Sequence, residues 1–469
     1  MDGLPAIPGG GSEPAVPDDK RRFWLVGAYY GLAVLIVANI FGAIDRLILI
    51  LVTENLKIDL ALSDVQVGVL NGVALTFVAL LATFPMGWLA DRINRRILLA
   101  VCVLLWSIAT AACGFAETFN ELFICSMGVA VGEAVLGPIV YSMIPDLFPA
   151  NRRVAANYIF YVAAMLGNSA GLFLGGTLIS AVEPIRDLLP ALPADFDTWR
   201  IALIAASVPG PLIAFLVVMI PLKKRYLSKE SGDSAGLVAF FRQHARTLFA
   251  VFVGFGFVAA ARTPAERWGP VALIRDFGES AAETGVRLGI VDAVASVTGV
   301  ISSWLIYRAV RARSGSVAAL RTAQYGTWAA VLLVPFYLVA ATPVHMYLLT
   351  GALTIATTTA LSITPTILQD IAPPQIRGRV IALGALSYVL LNSLGPMMVG
   401  VLSDTLGSGT RSLLLAMTLV TAPCFAIGAI LLRLGENTLP LTLAAVKAAD
   451  ESTVPADSAG LRDQASQSR

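Results

Sequence analysis

Long apolar segments recur along the whole chain, and they constrain its fold more than any other feature. Each has about the length, roughly 20 residues, that an α-helix needs to cross the hydrocarbon core of a membrane. Only 14% of the 469 residues are charged, which is well below the share in soluble domains. Twelve such segments can be distinguished, at residues 24–53, 65–89, 97–116, 120–144, 154–182, 200–222, 246–263, 283–308, 319–341, 345–370, 378–403 and 411–434. The sequence therefore predicts an all-α protein that crosses a membrane twelve times.

The seventh segment is the least regular of the twelve, because Arg262, Thr263 and Pro264 interrupt it. Proline lacks the backbone N–H group that a helix interior needs. We therefore expect this helix to bend or break near Pro264.

The distribution of polar residues predicts how the chain is divided. Residues 1–22 and 437–469 are polar, and we expect both tails to be disordered and the first not to be a signal peptide. Residues 223–245 are rich in Lys and Arg and lie in mid-chain, where they predict a linker between two six-helix bundles, 23–222 and 246–436. Most of the Lys and Arg outside the segments falls on one side of the membrane, so the positive-inside rule predicts that the linker and both tails are cytoplasmic.

The two halves carry the same residues at matching positions. Asn-Ser-Ala-Gly at residues 168–171 recurs 224 residues later as Asn-Ser-Leu-Gly at residues 392–395, and the same offset aligns Gly176 with Gly400. Several matches in order, in corresponding segments, indicate a duplication. Parallel repeats of six spans around a central cavity are similar to the plan of the major facilitator transporters.

A ten-residue loop between the second and third segments begins at Gly87 and reads Gly-Trp-Leu-Ala-Asp-Arg-Ile-Asn-Arg-Arg. Gly87 allows close helix approach, and Asp91 can cap a helix or pair with a cation. Arg92 and Arg95 favour the cytoplasmic side. The loop resembles the signature loop of the major facilitator superfamily, which implies a conformational latch that joins the two halves. A plain positively charged loop is the alternative, and Tyr307 replaces the acid in the second half.

Three ionisable residues inside the apolar segments are the candidate site. Asp45 and Arg46 lie in the first segment and Glu133 lies in the fourth. Ionisable groups inside a membrane are costly and mark functional sites. The helical rise places them at depths from which they can meet if the two segments are neighbours. A static ion pair between helices is the alternative.

These residues also carry a closer family resemblance. Asn39, Asp45-Arg46 and Val-Gly-Glu-Ala at residues 131–134 resemble the Spinster family, whose eukaryotic members move sphingolipids and lysolipids. The resemblance implies a secondary transporter in a bacterial inner membrane. It would move an amphipathic lipid-like substrate by alternating access with proton coupling. We expect a monomer whose partners are the substrate, protons and the bilayer.

One position departs from the family pattern. The family usually has an arginine seven residues before the glutamate of the fourth span, and this chain has Ser126. Two acids and two arginines would sum to zero, whereas Asp45, Glu133 and Arg46 sum to −1 when ionised. One acid should therefore tend to hold a proton. Ser126 as a small packing residue is the alternative.

Other classes of function are disfavoured by what the sequence lacks. The four cysteines form no CxxC pair and the two histidines are far apart, so we predict no metal site and no cofactor. No lysine follows a glycine, which excludes a phosphate-binding loop for ATP. The net charge of +2 offers no basic surface for nucleic acid. A channel and an enzyme are minor alternatives. Efflux of drugs or small organic anions is the runner-up, and a non-transporting membrane sensor is a remote alternative.

Overall fold

Every regular element that this computed structural model describes is a helix. The structure describes residues 18–74, 81, 89, 93–134, 136–188, 196–222, 234–372, 377–407 and 411–452. A helix satisfies its backbone hydrogen bonds internally, which is what a segment inside lipid requires. The helices of the first half are α1 Asp18–Leu51, α2 Thr53–Asp59, α3 Asp64–Val69 with the π-helical turn Leu70–Ala74, α4 Arg95–Cys113, α5 Phe119–Ala134, α6 Leu136–Leu147, α7 Ala150–Leu188, α8 Thr198–Ser207 and α9 Gly210–Val218. Those of the second half are α10 Ser234–Gln243, α11 Ala245–Phe277, α12 Ala281–Ser314, α13 Ala318–Leu333, α14 Pro343–Leu361, α15 Thr364–Asp370, α16 Arg377–Leu406 and α17 Ser412–Ser452.

Ten helical stretches among the described residues are long and apolar enough to cross a membrane. One of them, Ala281–Val339 with 59 residues, covers the eighth predicted segment and nearly all of the ninth. The second predicted segment, residues 65–89, lies largely outside the described residues. These two facts account for the difference from the predicted twelve.

The helix that forms the seventh predicted span, α11, is longer than predicted. α11 continues as helix through Pro264 to Phe277 instead of ending near residue 263. Pro264 leaves the Ala260 carbonyl without its helical donor, and Gly395 of α16 packs directly against that carbonyl. The Trp268 indole N–H also donates to the Pro396 carbonyl of α16 at 3.0 Å. Packing on α16 therefore holds a helix that local sequence would interrupt.

The predicted disordered tails and linker also contain helix. α1 begins at Asp18, within the predicted tail 1–22, and α10 lies inside the predicted linker 223–245. α17 runs to Ser452, well into the predicted tail 437–469. This extension buries apolar side chains such as Leu439, which is why it stays helical despite its polar composition.

The two halves pack closely at the end of the molecule opposite the N-terminus, called here the far end. Two pairs of helices meet there, α7 with α12 and α3 with α16. A Cβ atom added to Gly285 would lie 2.8 Å from the Gly176 Cα, and one added to Gly400 would lie 3.4 Å from the Gly68 Cα. Gly176 and Gly400 are repeat partners in the sequence. The repeated glycines therefore allow close contacts between helices of the two halves.

Candidate functional site

An ion pair inside the membrane-spanning region links the first and fourth spans. Arg46 Nη1 lies 2.9 Å from Glu133 Oε2, and Arg46 Nη2 donates to Asn168 Oδ1 of α7 at 3.0 Å. Gly42 lies one helical turn before Arg46, and a Cβ there would lie 3.7 Å from Glu133 Oε1. The carboxylate therefore packs against the surface of α1, and Arg46 holds three helices of the first half together.

Asp45 points away from this ion pair, as adjacent residues on a helix must. It is 2% exposed, and neither of its carboxylate oxygens has a hydrogen-bond partner. Ser126 is fully buried, and its hydroxyl lies 3.9 Å from Cys113 Sγ. Asp45, Ser126, Cys113 and Glu133 line one cavity of about 290 Å³.

Asn39, the remaining predicted site residue, packs elsewhere. It lies about two helical turns before Arg46 on α1, and its Oδ1 would be 3.0 Å from a Cβ added to Gly167 of α7. Asn39 does not line the cavities formed by the described residues near the ion pair. The structure thus places it in the contact between α1 and α7.

Most of the predicted latch cannot be located, because Gly87, Asp91 and Arg92 lie outside the described residues. Arg95 is the exception, at the first position of α4. Its Nη1 lies 2.9 Å from Asp146 Oδ2 of α6. This ion pair joins the third and fourth spans at the end of the molecule that carries the N-terminus.

Three charged residues of α11 were missed by the sequence reasoning. Arg262 forms an ion pair with Glu266 one turn later, at 2.6 Å. Arg267 lines two neighbouring cavities, and its Nη1 atom is buried without a hydrogen-bond partner. Arg262 was considered only as an interruption of the seventh segment, and Glu266 and Arg267 lie beyond the predicted end of that segment at residue 263.

Asp292 of α12 was also missed, although it lies within the eighth predicted segment. The Ser169 hydroxyl of α7 donates to Asp292 Oδ2 at 2.7 Å, which is a hydrogen bond between the two halves. The Thr354 hydroxyl of α14 lies 3.5 Å from Oδ1. Asp292 is an acid inside an apolar segment, and the same pattern identified Asp45 in the sequence.

The site residues surround adjoining cavities between the halves. The cavity beside Asp45 shares Arg46 and Arg267 with a smaller one of about 80 Å³, which in turn shares Asn168, Arg262 and Asp292 with one of about 520 Å³. The charged residues lining these cavities are Asp45, Arg46, Glu133, Arg262, Glu266, Arg267 and Asp292. Four acids and three arginines leave one negative charge when all are ionised.

A second cluster of charges joins the halves at the far end. Arg275 of α11 binds Asp64 with both terminal nitrogens at 2.8 Å and Glu54 at 2.9 Å. The Ser403 hydroxyl donates to Asp64 at 2.6 Å. Asp404 of α16 accepts the backbone N–H groups of Asp64 and of the next residue, at 2.9 and 2.8 Å, at the N-terminus of α3. An acid from one half therefore caps a helix of the other.

The contacts of Asp64 in the far-end cluster should be insensitive to pH in the ordinary range. Asp64 lies just before the second predicted segment. Burial alone would raise its pKa, but hydrogen bonds from Arg275, Lys57 and Ser403 lower it from 3.8 to about 2. A lowered pKa stabilises the contact above about pH 3.8, and that stability is lost only as pH falls toward 2. Spin labels at Ile58 and Leu406, both exposed, should therefore give one distance from about pH 5 to about pH 9.

The variant Asp64→Asn should lengthen that distance at every pH in this range. It removes the charge that Arg275 and Lys57 bind and leaves the buried arginine poorly paired. A distance in the unmodified cluster that changed between about pH 5 and about pH 9 would contradict this description.

Comparison with known proteins identifies the family. The sequence profile of the Major Facilitator Superfamily matches residues 34–323, more than half of the chain. The chain therefore belongs to the Major Facilitator Superfamily. Its family and fold are those of transporters and not of enzymes.

Individual relatives agree with this assignment. An MFS-type efflux pump of Mycolicibacterium smegmatis is 26% identical over 427 residues, which is 87% of this chain and 92% of the pump. Human protein spinster homolog 1 is 28% identical over 278 residues, 56% of this chain and 50% of that protein. The mouse sphingosine-1-phosphate transporter SPNS2 is 26% identical over 239 residues, 49% and 41% of the two chains. The chain thus matches about half the length of these two Spinster relatives.

A solved structure shows the same fold. The structure of a bacterial homolog of the human lysosomal transporter Spinster, in an inward-facing and unoccupied conformation, matches with a TM-score of 0.72. It is 21% identical and covers 94% of this chain and 99% of that chain. The predicted all-α major facilitator fold and the predicted similarity to Spinster transporters are confirmed.

Proposed function

We propose that this protein is a secondary active transporter that moves an amphipathic, lipid-like substrate by alternating access with proton coupling. The observation that carries the proposal is a composite cavity between the two halves, made of adjoining spaces of about 290, 80 and 520 Å³, with a charged corner, Arg46 and its neighbours, and a largely apolar wall. Such a cavity can hold the head of an amphiphile at one end and its chain along the other. The apolar wall includes Leu47, Ile50, Leu172, Leu288, Leu353 and Phe425.

Glu133 is the proposed proton carrier. Arg46 binds both Glu133 and Asn168, so neutralising the carboxylate releases one of the two restraints on the guanidinium. The next residue after Asn168 is Ser169, whose hydroxyl holds Asp292 of the other half. A proton at Glu133 can therefore change a contact between the halves through two neighbouring residues of α7.

The proposed orientation has both termini in the cytoplasm of a bacterial cell, with the protein in the inner membrane. The excess of Lys and Arg in the linker, and in the loops on the same side of the membrane as the N-terminus, supports this orientation. In that orientation the far-end cluster closes the outer side. The cavity of about 520 Å³ then lies toward the cytoplasm, because Ser362 and Tyr141 line it near the inner ends of their helices.

Efflux of drugs or small organic anions is the second candidate function. The similarity to the mycobacterial efflux pump extends over 92% of that protein, which is more than either Spinster relative shares. Uptake of labelled lysolipids and of cationic and anionic drugs into vesicles containing the purified protein distinguishes the two functions. Transport of drugs but of no lysolipid would contradict the lipid proposal. No flux of either class in sealed vesicles, with binding intact, would favour the sensor.

The proposed latch gives a separate prediction. Asp91→Asn should slow transport while substrate binding survives, because Asp91 belongs to a loop outside the apolar segments and acts on the movement of the halves. Transport rate and equilibrium binding are measured on the same preparation. An unchanged transport rate would show that the loop is not a latch.

A further inference from the structure

The cavity beside Asp45 contains several polar atoms without partners. Asp45 is 2% exposed, and both of its carboxylate oxygens lack a hydrogen-bond partner. Buried polar groups are nearly always paired with protein, water or a ligand, and an unpaired buried charge is costly. Among the described residues, the Trp106 indole N–H lies beside Asp45, but it is neutral and unpaired, so it does not balance the charge of an ionised Asp45 carboxylate.

Neighbouring arginines do not balance that charge either. Arg46 is turned about 100° from Asp45 around α1, and its guanidinium is occupied by Glu133 and Asn168. Arg267 lines the same cavity, but its Nη1 atom and both oxygens of Asp45 lack a partner, so the two side chains form no ion pair. Among the described residues, no cationic side chain pairs with Asp45.

The other polar groups of this cavity are oxygen atoms of the kind that bind hard cations. The Thr110 hydroxyl is buried without a partner, and so is Glu133 Oε1. The Ser126 hydroxyl has only a distant contact with Cys113, at 3.9 Å. Carboxylate and hydroxyl oxygens suit hard cations and ammonium groups alike.

We propose that this cavity binds one monovalent cation, held by the Asp45 carboxylate with the hydroxyls of Thr110 and Ser126. A single positive charge balances the one negative charge left by the acids and arginines that line the interior. The cation is either a free alkali ion or an ammonium group of a bound molecule, which share this chemistry. The site is independent of the proposed lipid transport, because its test measures equilibrium binding and not flux.

Thermal unfolding of the purified full chain tests the proposal at constant pH and ionic strength. Sodium, potassium or methylammonium chloride replaces the chloride salt of N-methylglucamine, whose cation is too bulky for the site. A bound cation should raise the Tm saturably, by about 2 °C or more. A response to sodium or potassium assigns the site to a free ion, and a response to methylammonium alone assigns it to an ammonium group. The same Tm in every salt would overturn the proposal.

Variants test whether the rise in Tm comes from cation binding in this cavity. Asp45→Asn removes the charge and Ser126→Arg places a guanidinium in the site, so both should lose the Tm rise. Glu117→Gln is the matched control, because Glu117 is an exposed acid that does not line this cavity, and it should keep the Tm rise. Thr110→Val leaves every charge in place and should weaken the apparent cation affinity several-fold, which keeps the test decisive if the other variants fold poorly. A retained response in Asp45→Asn, a lost one in Glu117→Gln or an unaltered affinity in Thr110→Val would contradict the assignment.

Discussion

Replacing Glu133 with Gln should abolish the dependence of transport on a pH gradient while substrate binding survives. Glutamine keeps the shape of the side chain and an oxygen that Arg46 can bind, but it cannot take up or release a proton. In the proposed mechanism, the native carboxylate alternates between a charged form, paired with Arg46 at 2.9 Å, and a protonated form that binds Arg46 less tightly. Uptake into vesicles with and without an imposed gradient measures the effect. In the variant the two rates should be equal.

Glu117→Gln is the matched control, because Glu117 is an exposed acid that lies outside the cavities. It makes the same chemical change and should leave the response to the gradient intact. Gradient-driven uptake that persisted in Glu133→Gln would show that another group carries the proton. Asp292 would then be the next acid to test, because it lies at the contact between the halves.

The elements that could be predicted from sequence are those set by local physics. The length of each apolar segment predicts a helix, because a segment inside the membrane must form its backbone hydrogen bonds internally. Asp45, Arg46 and Glu133 were found because a charge inside an apolar segment is conspicuous. The charged residues of α11 were missed because Pro264 suggested a helix end, and only packing against α16 shows that the helix continues.

The far-end cluster could not have been predicted by the same means. Glu54, Asp64 and Asp404 lie near the ends of segments, where charged residues are ordinary. The hydrogen bond from the Asp64 backbone to Asp404 joins residues 340 positions apart. Such a contact depends on how the two halves dock, and a single sequence without homologues does not contain that information.

The repeated Asn-Ser motif could be recognised in the sequence, but the contacts that its asparagines make could not be predicted. In the first half, Asn168 accepts a hydrogen bond from Arg46 of α1. In the second half, Asn392 accepts one from Thr263 of α11. Each asparagine thus binds the first transmembrane helix of its own half. Arg46 and Thr263 differ in charge, which is consistent with coupling chemistry in the first half only.

The glycine pair between α7 and α12 gives the largest conformational prediction. Gly285→Ala should open the far end and sharply reduce transport. The new Cβ would lie 2.8 Å from the Gly176 Cα, the Leu172 carbonyl and the Leu51 side chain. Backbone atoms cannot move aside as a flexible side chain can, so the helices must separate. Overpacking of this kind costs roughly 1–3 kcal/mol, enough to shift a two-state equilibrium by about fivefold to more than a hundredfold.

The spin-label distance between Ile58 and Leu406 measures that opening, and it should lengthen in Gly285→Ala. Gly137→Ala is the matched control, because Gly137 is a helical glycine with no atom within 4 Å of an added Cβ. Its distance and transport rate should stay at the native values. If Gly285→Ala kept the native distance, α7 and α12 could accommodate the added methyl group without separating. The ion pairs of Arg275 with Asp64 and Glu54 would then be the contacts that keep the far end closed. If the distance lengthened while transport stayed fast, far-end closure would not limit the transport cycle.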